Sequence, residues 1–189
     1  MNAEEAAKAV VSRFQSKGAE SSEFRGEYTV VLPSAATREA LKYCKEELAF
    51  DYLVDISSLD HFETDPRFEM VYELYSYSSG AHLRIRCPLD EEDDMDSVVD
   101  IWPTADWHER EVYDMMGIKF ANHPDLRRIL MWEGYPYYPL RKDFPLAGRE
   151  SDMPDVAFSD TAPLEGGPFV TSPTDATTEH REPRSREFE

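Results

Sequence analysis

Phe68-Glu69-Met70-Val71-Tyr72-Glu73-Leu74-Tyr75-Ser76-Tyr77, then Ser78-Ser79-Gly80-Ala81, then His82-Leu83-Arg84-Ile85-Arg86-Cys87 is the stretch that decides the fold. Phe68, Met70, Tyr72 and Leu74 alternate with Glu69, Val71, Glu73 and Tyr75, the period of two that sends successive side chains to opposite faces of a strand. Leu83, Ile85 and Cys87 resume the alternation after a short turn, so the two runs read as a β-hairpin. His82, Arg84 and Arg86 share the opposite face, where the glutamates of the first strand are expected to pair with the arginines.

Outward from the hairpin, toward the N-terminus, Tyr52 to Leu59 is apolar enough for another strand, and Thr37 to Leu48 returns to helical spacing through Leu41, Cys44 and Leu48. Glu27 to Leu32 is a β-branched and aromatic run stopped by Pro33, hence a strand. Ala3 to Lys17 repeats Ala6, Ala7, Val10, Val11 and Phe14 at helical spacing, with Gly18 just beyond, so an N-terminal helix is expected to lay its apolar stripe on the sheet.

On the other side of the hairpin, Asp90 to Asp100 holds seven acidic residues and no basic one. A calcium loop needs a central glycine and a terminal glutamate at set spacing, which are absent, so this is read as a solvated acidic loop. Ser97 with Asp100 is expected to cap a short helix that stops at Trp102, before Pro103. Ala105 to Gly117 predicts a longer helix: Asp106 with Glu109 makes a capping-box-like start, and Gly117 supplies a left-handed end. Asp106, Arg110 and Asp114 stand four apart and are expected to pair along one side, with Val112, Met115 and Met116 on the face that holds His108. Leu126 to Met131 reads as a short strand or an extended clamp, and Trp132 to Tyr138 as an irregular aromatic run.

These elements add up to an α+β fold: a mixed sheet of about four strands packed with helices, plus an extended C-terminal arm. Residues 1–149 form the expected domain. Residues 150–189 are rich in proline, serine, threonine and acids, a composition that buries too little apolar surface to fold alone, and form the expected partner-binding arm.

Composition removes several classes of function. The chain has 189 residues and a net charge of −19, which repels nucleic acid phosphates and anionic lipid headgroups. No apolar run approaches the roughly 18 residues that span a bilayer, and the acidic start Met1-Asn2-Ala3-Glu4-Glu5 lacks the basic and apolar regions of a secretory signal. Cys44 and Cys87, the only cysteines, cannot hold a four-thiolate cluster and are read as small core residues. His108-Glu109 starts like a zinc-protease helix, but Val112 stands where the second histidine would be. With no Gly-rich nucleotide loop, nucleophile elbow or cysteine–base pair, no catalytic, cofactor-binding or metal-binding residue is assigned.

What remains is the density of charge and aromatic rings in Ala105 to Pro145. Glu109-Arg110-Glu111, Asp114, the pair Met115 and Met116, His123, Arg127, Ile129 and Leu130 stand at the spacing of the signature of the C subunit of respiratory complex I. Pro139-Leu140-Arg141-Lys142-Asp143-Phe144-Pro145 resembles a second block of that family, and the segment from about Glu27 to Pro103 follows its pattern more loosely. The resemblance implies a non-catalytic structural subunit of the peripheral, hydrophilic arm of NADH:quinone oxidoreductase, supporting electron transfer from NADH to quinone coupled to proton translocation. It implies that NADH, FMN, iron-sulfur clusters and quinone bind other subunits and that the D subunit of the complex is the foremost partner. It also implies a peripheral place on the cytoplasmic side of the cell inner membrane, reached through the complex. Glu109, Arg110, Glu111, Asp114, His123, Arg127, Arg128, Arg141, Lys142 and Asp143 would order the motif region or dock it on neighbouring subunits, with Glu111 buried against Arg127 or Arg128. Three other readings stay open at this point. They are an accessory subunit of a membrane-bound hydrogenase or formate-oxidising complex, a hydrolase using the motif's histidines and glutamates, and an acidic adaptor.

Overall fold

The computed structural model describes residues 1–146, and the expected arm at 150–189 lies outside them. Every element below belongs to the first of two compact units, Met1–Arg141.

Helix α1, Ala3–Phe14, begins in a capping box: the Asn2 side chain accepts the Glu5 N–H at 2.8 Å and the Glu5 carboxylate accepts the Asn2 N–H at 2.9 Å. Its buried residues Ala6, Ala7, Val10 and Phe14 are four of the five the periodicity picked out, Val11 being half-buried, and a 3-10 turn, Gln15–Lys17, closes it at Gly18. Strands β1, Glu20–Phe24, and β2, Glu27–Val31, pair antiparallel around Arg25 and Gly26. Both turn residues have positive φ, 55° and 84°, as a two-residue turn with the native strand twist requires. Strand β1 departs from the expected set, and the reason is its side chains: Glu20-Ser21-Ser22-Glu23-Phe24 is exposed throughout and bears no alternation.

Helix α2, Ser34–Glu46, buries Ala36, Thr37, Ala40, Leu41 and Cys44. Strands β3, Tyr52–Asp60, β4, Phe68–Tyr75, and β5, His82–Leu89, follow. The sheet is mixed, in the order β1-β2-β5-β4-β3, with β2 parallel to β5 and the other neighbours antiparallel. It therefore has five strands rather than about four, the addition being β1. A register shift between Leu53 and Asp55 in β3 brings Leu53 and Ile56, three apart, to the same buried face. Phe68, Met70, Tyr72 and Leu74 enter the core, and on the opposite face Arg86 bonds Glu69 and Arg84 bonds Glu73, as the alternation predicts.

The acidic loop departs from expectation in two ways. Met95–Asp96 forms a strand, β6, paired in parallel with β7, Phe120–Ala121. Ser97 to Trp102 makes one turn rather than a helix, with the N–H groups of Ile101 and Trp102 both donating to the Val98 carbonyl at 3.0 and 2.9 Å. Between β6 and β7 runs helix α3, Ala105–Met116, which packs against β3 and places Val112, Met115 and Met116 in the common core. Cys44 and Cys87 are buried and free, and burial pushes their thiols up to about 12 and about 11. Among the described residues no helix is long and apolar enough to cross a membrane.

Candidate functional site

Helix α3 carries the motif, and its charges are arranged differently from the pattern that spacing alone suggests. Thr104 is the N-cap and makes no side-chain cap bond, so the expected capping box does not form. Glu109 instead turns inward and accepts the Val98 N–H at 2.7 Å. The expected ladder of Asp106, Arg110 and Asp114 does not form either, because each finds a partner on the segment that follows β7. Asp106 lies 3.2 Å from His123 Nε2. The Arg110 guanidinium donates to the carbonyls of Arg127 and Arg128 at 3.2 and 3.4 Å. Asp114 is bound by Arg128 and by three consecutive backbone amides.

These bonds give residues 123–131 their course. His123 meets α3 at Asp106, Arg127 and Arg128 at Arg110, and Ile129 to Met131 at Asp114. The segment thus runs beside the helix in the same direction, an extended clamp without strand pairing. Asp114 anchors its far end: Oδ2 accepts the N–H groups of Ile129, Leu130 and Met131 at 3.0, 2.6 and 2.8 Å, and Oδ1 accepts from Arg128 at 2.6 Å. Arg128 donates also to the carbonyls of Asp114, at 2.9 Å, and Tyr137, at 3.1 Å. The Asp114 side chain is 0% exposed. Burial alone would raise its pKa, but the amides of Met131, Leu130 and Ile129 and the Arg128 side chain outweigh burial and hold it below the usual carboxylate range.

A second set of arginines ties the clamp's continuation to the sheet. Arg141 donates to the Met116 carbonyl at 2.6 Å and to Glu91 at 2.7 Å. Arg67 also binds Glu91, at 3.0 Å, and meets Asp60 through two bonds of 3.0 Å. Guanidinium groups and rings interleave: Arg67 and Arg141 lie 5.0 and 5.1 Å from the Phe68 ring, Arg141 and Arg128 4.7 and 5.1 Å from Tyr138, and Arg128 5.7 Å from Tyr135. Gly117 makes room for this stack. Its φ of 80° suits glycine, and a Cβ there would sit 2.7 Å from the Tyr138 ring and 2.8 Å from Arg141.

Of the residues singled out from sequence, Glu109, Arg110, Asp114, His123, Arg128 and Arg141 therefore order the motif region itself. Glu111 is exposed, so the expected burial against Arg127 or Arg128 is corrected: Glu109 is the inward glutamate. Arg127 contributes its carbonyl to the clamp, while its side chain is 69% exposed and pairs with Asp125 at 2.8 Å. Lys142 and Asp143 fall in the second unit, Lys142–Glu189. Trp107, under which Arg110 packs at 5.3 Å, and Leu130 are each 61% exposed on the outside of this construction.

Sequence reading missed Asp60, Arg67 and Glu91, and gave Asp106 to the helix cap and ladder rather than to His123. Glu91 is one of several acids in a loop, and nothing local marks it, because its partners stand 24 and 50 residues away. The nearness of an arginine to an aromatic residue in Arg67-Phe68 and in Tyr138 to Arg141 was the available signal. Chemically, the arrangement binds backbone carbonyls and amides. Among the described residues, no three His, Cys, Asp or Glu side chains are grouped to hold a metal ion.

Comparison with known proteins agrees with the motif. The family described as "Respiratory-chain NADH dehydrogenase, 30 Kd subunit" matches residues 30–150. A C subunit of NADH-quinone oxidoreductase from Rhizobium meliloti (strain 1021), the one numbered 2, is 47% identical over 130 residues, which cover 68% of this chain and 71% of that protein. The NADH-quinone oxidoreductase C subunit of Geotalea uraniireducens (strain Rf4) is 45% identical over 141 residues, 74% of this chain and 86% of that one. A chain of the membrane-bound sulfane sulfur reductase, an archaeal respiratory membrane complex, shares the fold with a TM-score of 0.64 and 27% identity, covering 76% of this chain and 85% of its own. By its family match and these identities, the chain belongs to the family of the respiratory-chain NADH dehydrogenase 30 Kd subunit.

Proposed function

We propose that this chain is a non-catalytic structural subunit of the peripheral arm of an NADH:quinone oxidoreductase, supporting electron transfer from NADH to quinone coupled to proton translocation. The observation that carries this reading is the use made of the motif. The buried acid Asp114 receives three backbone amides and Arg128, and Arg128 and Arg141 reach backbone carbonyls. Side chains so engaged hold a surface in shape, and that surface presents Trp107, Leu130 and Arg127 to a partner. Aromatic and arginine side chains are the usual anchors of protein interfaces.

In this reading NADH, FMN, iron-sulfur clusters and quinone are held by other subunits, and the D subunit of the complex is the foremost neighbour. The complex keeps the chain on the cytoplasmic side of the inner membrane. Residues 119–149 are basic on balance in a chain of net charge −19, which favours an acidic face on the partner. Glu111 and Arg127, whose side chains are exposed, are the motif residues assigned to docking, and Glu109, Arg110, Asp114, His123, Arg128 and Arg141 are internal clamps. Residues 150–189 are assigned to contact with a neighbouring subunit.

The likeness to a chain of the sulfane sulfur reductase supports a second reading, an accessory subunit of a related membrane-bound complex with another electron donor or acceptor. Purification of the tagged full-length chain from solubilised membranes separates the two. The first reading expects the flavin- and cluster-bearing subunits of an NADH:quinone oxidoreductase to co-purify with NADH-dependent quinone reduction. A hydrogenase or formate-oxidising activity in their place would establish the second, and recovery of the chain alone would refute both.

A further inference from the structure

Glu109 is the motif residue whose bonding is incomplete. Its side chain is 0% exposed, Oε1 accepts the Val98 N–H, and Oε2 has no hydrogen-bond partner among the described residues. An ionised carboxylate offers about four acceptor sites and is costly to bury with so few donors.

The ring of His123 decides how charge is distributed around it. Nδ1 accepts the Asp125 N–H at 3.0 Å, so that nitrogen carries no proton, and the ring is the neutral tautomer with its hydrogen on Nε2. That N–H faces Asp106, whose Oδ1 and carbonyl oxygen lie at 3.2 and 3.4 Å, while Glu109 Oε2 stands 3.9 Å away. Glu109 thus faces a neutral ring with an acid beside it rather than a cation. Arg38, reaching in from α2, is held by the Ser97 carbonyl and by both oxygens of Asp100 at 2.9 and 2.7 Å. From β4, the buried Tyr72 hydroxyl also lacks a partner among the described residues and lies within electrostatic reach of Glu109, as it does of Asp96. A cleft of about 480 Å³ lined by Arg38, Ser97, Val99, Asp100, Asn122 and Pro124 borders the two segments that cover Glu109.

We propose that Glu109 is held as the neutral carboxylic acid beside neutral His123, and that loss of its proton to solvent loosens the seat of residues 123–131 on α3. The inference rests on the reading of the motif as a structural clamp, and adds to it a latch that opens with rising pH. Ionised Glu109 is a second anion beside Asp106, the residue that seats His123 at the start of the clamp. Burial, chiefly, pushes the Glu109 carboxyl up to about 7; the Val98 N–H and Ser97 hydroxyl act against that rise, Asp106 adds to it, and Arg38 opposes it.

The test is infrared spectroscopy of the full-length chain with its glutamates isotope-labelled at the side-chain carboxyl. At about pH 6, wild type minus Glu109→Gln is expected to show one protonated-carboxyl stretch, lost by about pH 9. Protection of the Ile129 to Met131 amides, corrected for intrinsic exchange, is expected to fall between pH 4.5 and about 7 and then to level off in wild type, and to stay level throughout in Glu109→Gln. A spectrum with no such band, or equal pH dependence in both proteins, overturns the proposal. Should Glu109→Gln fail to fold, Asp106→Asn reads the same chemistry: the band is expected to vanish at lower pH, and an unchanged midpoint overturns the proposal. Assembly into the complex is scored separately. Normal assembly with no band sinks the latch and leaves the clamp standing, whereas a band in a chain that does not join any complex sinks the structural-subunit reading alone.

Discussion

Two buried carboxylates on one helix illustrate how much a single residue's surroundings decide. Asp114 meets three amides and a guanidinium and is held anionic, whereas Glu109 meets one amide and the Ser97 hydroxyl, with the His123 ring 3.9 Å away. Asp114→Asn leaves Arg128 buried without its counter-charge and is expected to cost about 3 kcal/mol in urea unfolding, in the range for breaking a buried pair. A loss under about 1 kcal/mol would mean that the clamp does not depend on this charge. The two groups also act on stability with opposite signs. Asp114, lowered in the folded state, contributes stability present above the ordinary aspartate value of 3.8 and lost as pH falls through its folded pKa. Glu109, raised, contributes stability that is full below 4.5 and is lost as pH rises through about 7. The thermal midpoint is therefore expected to fall on the acid side below 3.8 and again between 4.5 and 7. An alkaline limb that Glu109→Gln fails to remove would contradict the second assignment. Helical spacing was the signal that could have told Glu109 from Glu111: Glu109 stands four after Ala105, three before Val112 and seven before Met116, on the buried stripe, whereas Glu111 faces away from it.

The elements legible in the sequence are those whose apolar period is complete. The hairpin of β4 and β5, the stripe of α1 and the glutamate–arginine pairs across the sheet follow from alternation or helical spacing alone. Strand β1 and the β6–β7 pair were not legible, because β1 buries no side chain and β6 and β7 are two residues each. The clamp was legible only as a choice between strand and extended segment, since what holds it is a helix aspartate and not its own pattern. Gly117 and Arg141 belong to the same assembly of elements. Gly117→Ala combines a positive φ with a Cβ 2.7 Å from Tyr138, and is expected to destabilise by about 2 kcal/mol or more in urea unfolding; a neutral effect would mean that the stack moves aside freely. Arg141→Ala removes the bonds to Met116 and Glu91 and is expected to cost about 2 kcal/mol in the free chain, as charged hydrogen bonds do. Full stability in the free chain, with loss only on assembly, would reassign Arg141 to docking.

At the scale of the whole molecule, family membership was readable because two blocks of charged and aromatic residues stand at fixed separation, and the match over residues 30–150 contains both. A chain with net charge −19 repels its own copies and other acidic surfaces, so its contacts depend on local patches where the sign reverses. The central claim is that the motif holds this subunit in shape for assembly and takes no part in the chemistry. Its most direct test is quantitative: express Asp114→Asn in place of the native chain, then measure the amount of assembled complex in the membrane and NADH-dependent quinone reduction per assembled complex. The account predicts less complex, with unchanged turnover in whatever complex forms. A full complement of complex with turnover lost would contradict it and place the motif in the chemistry.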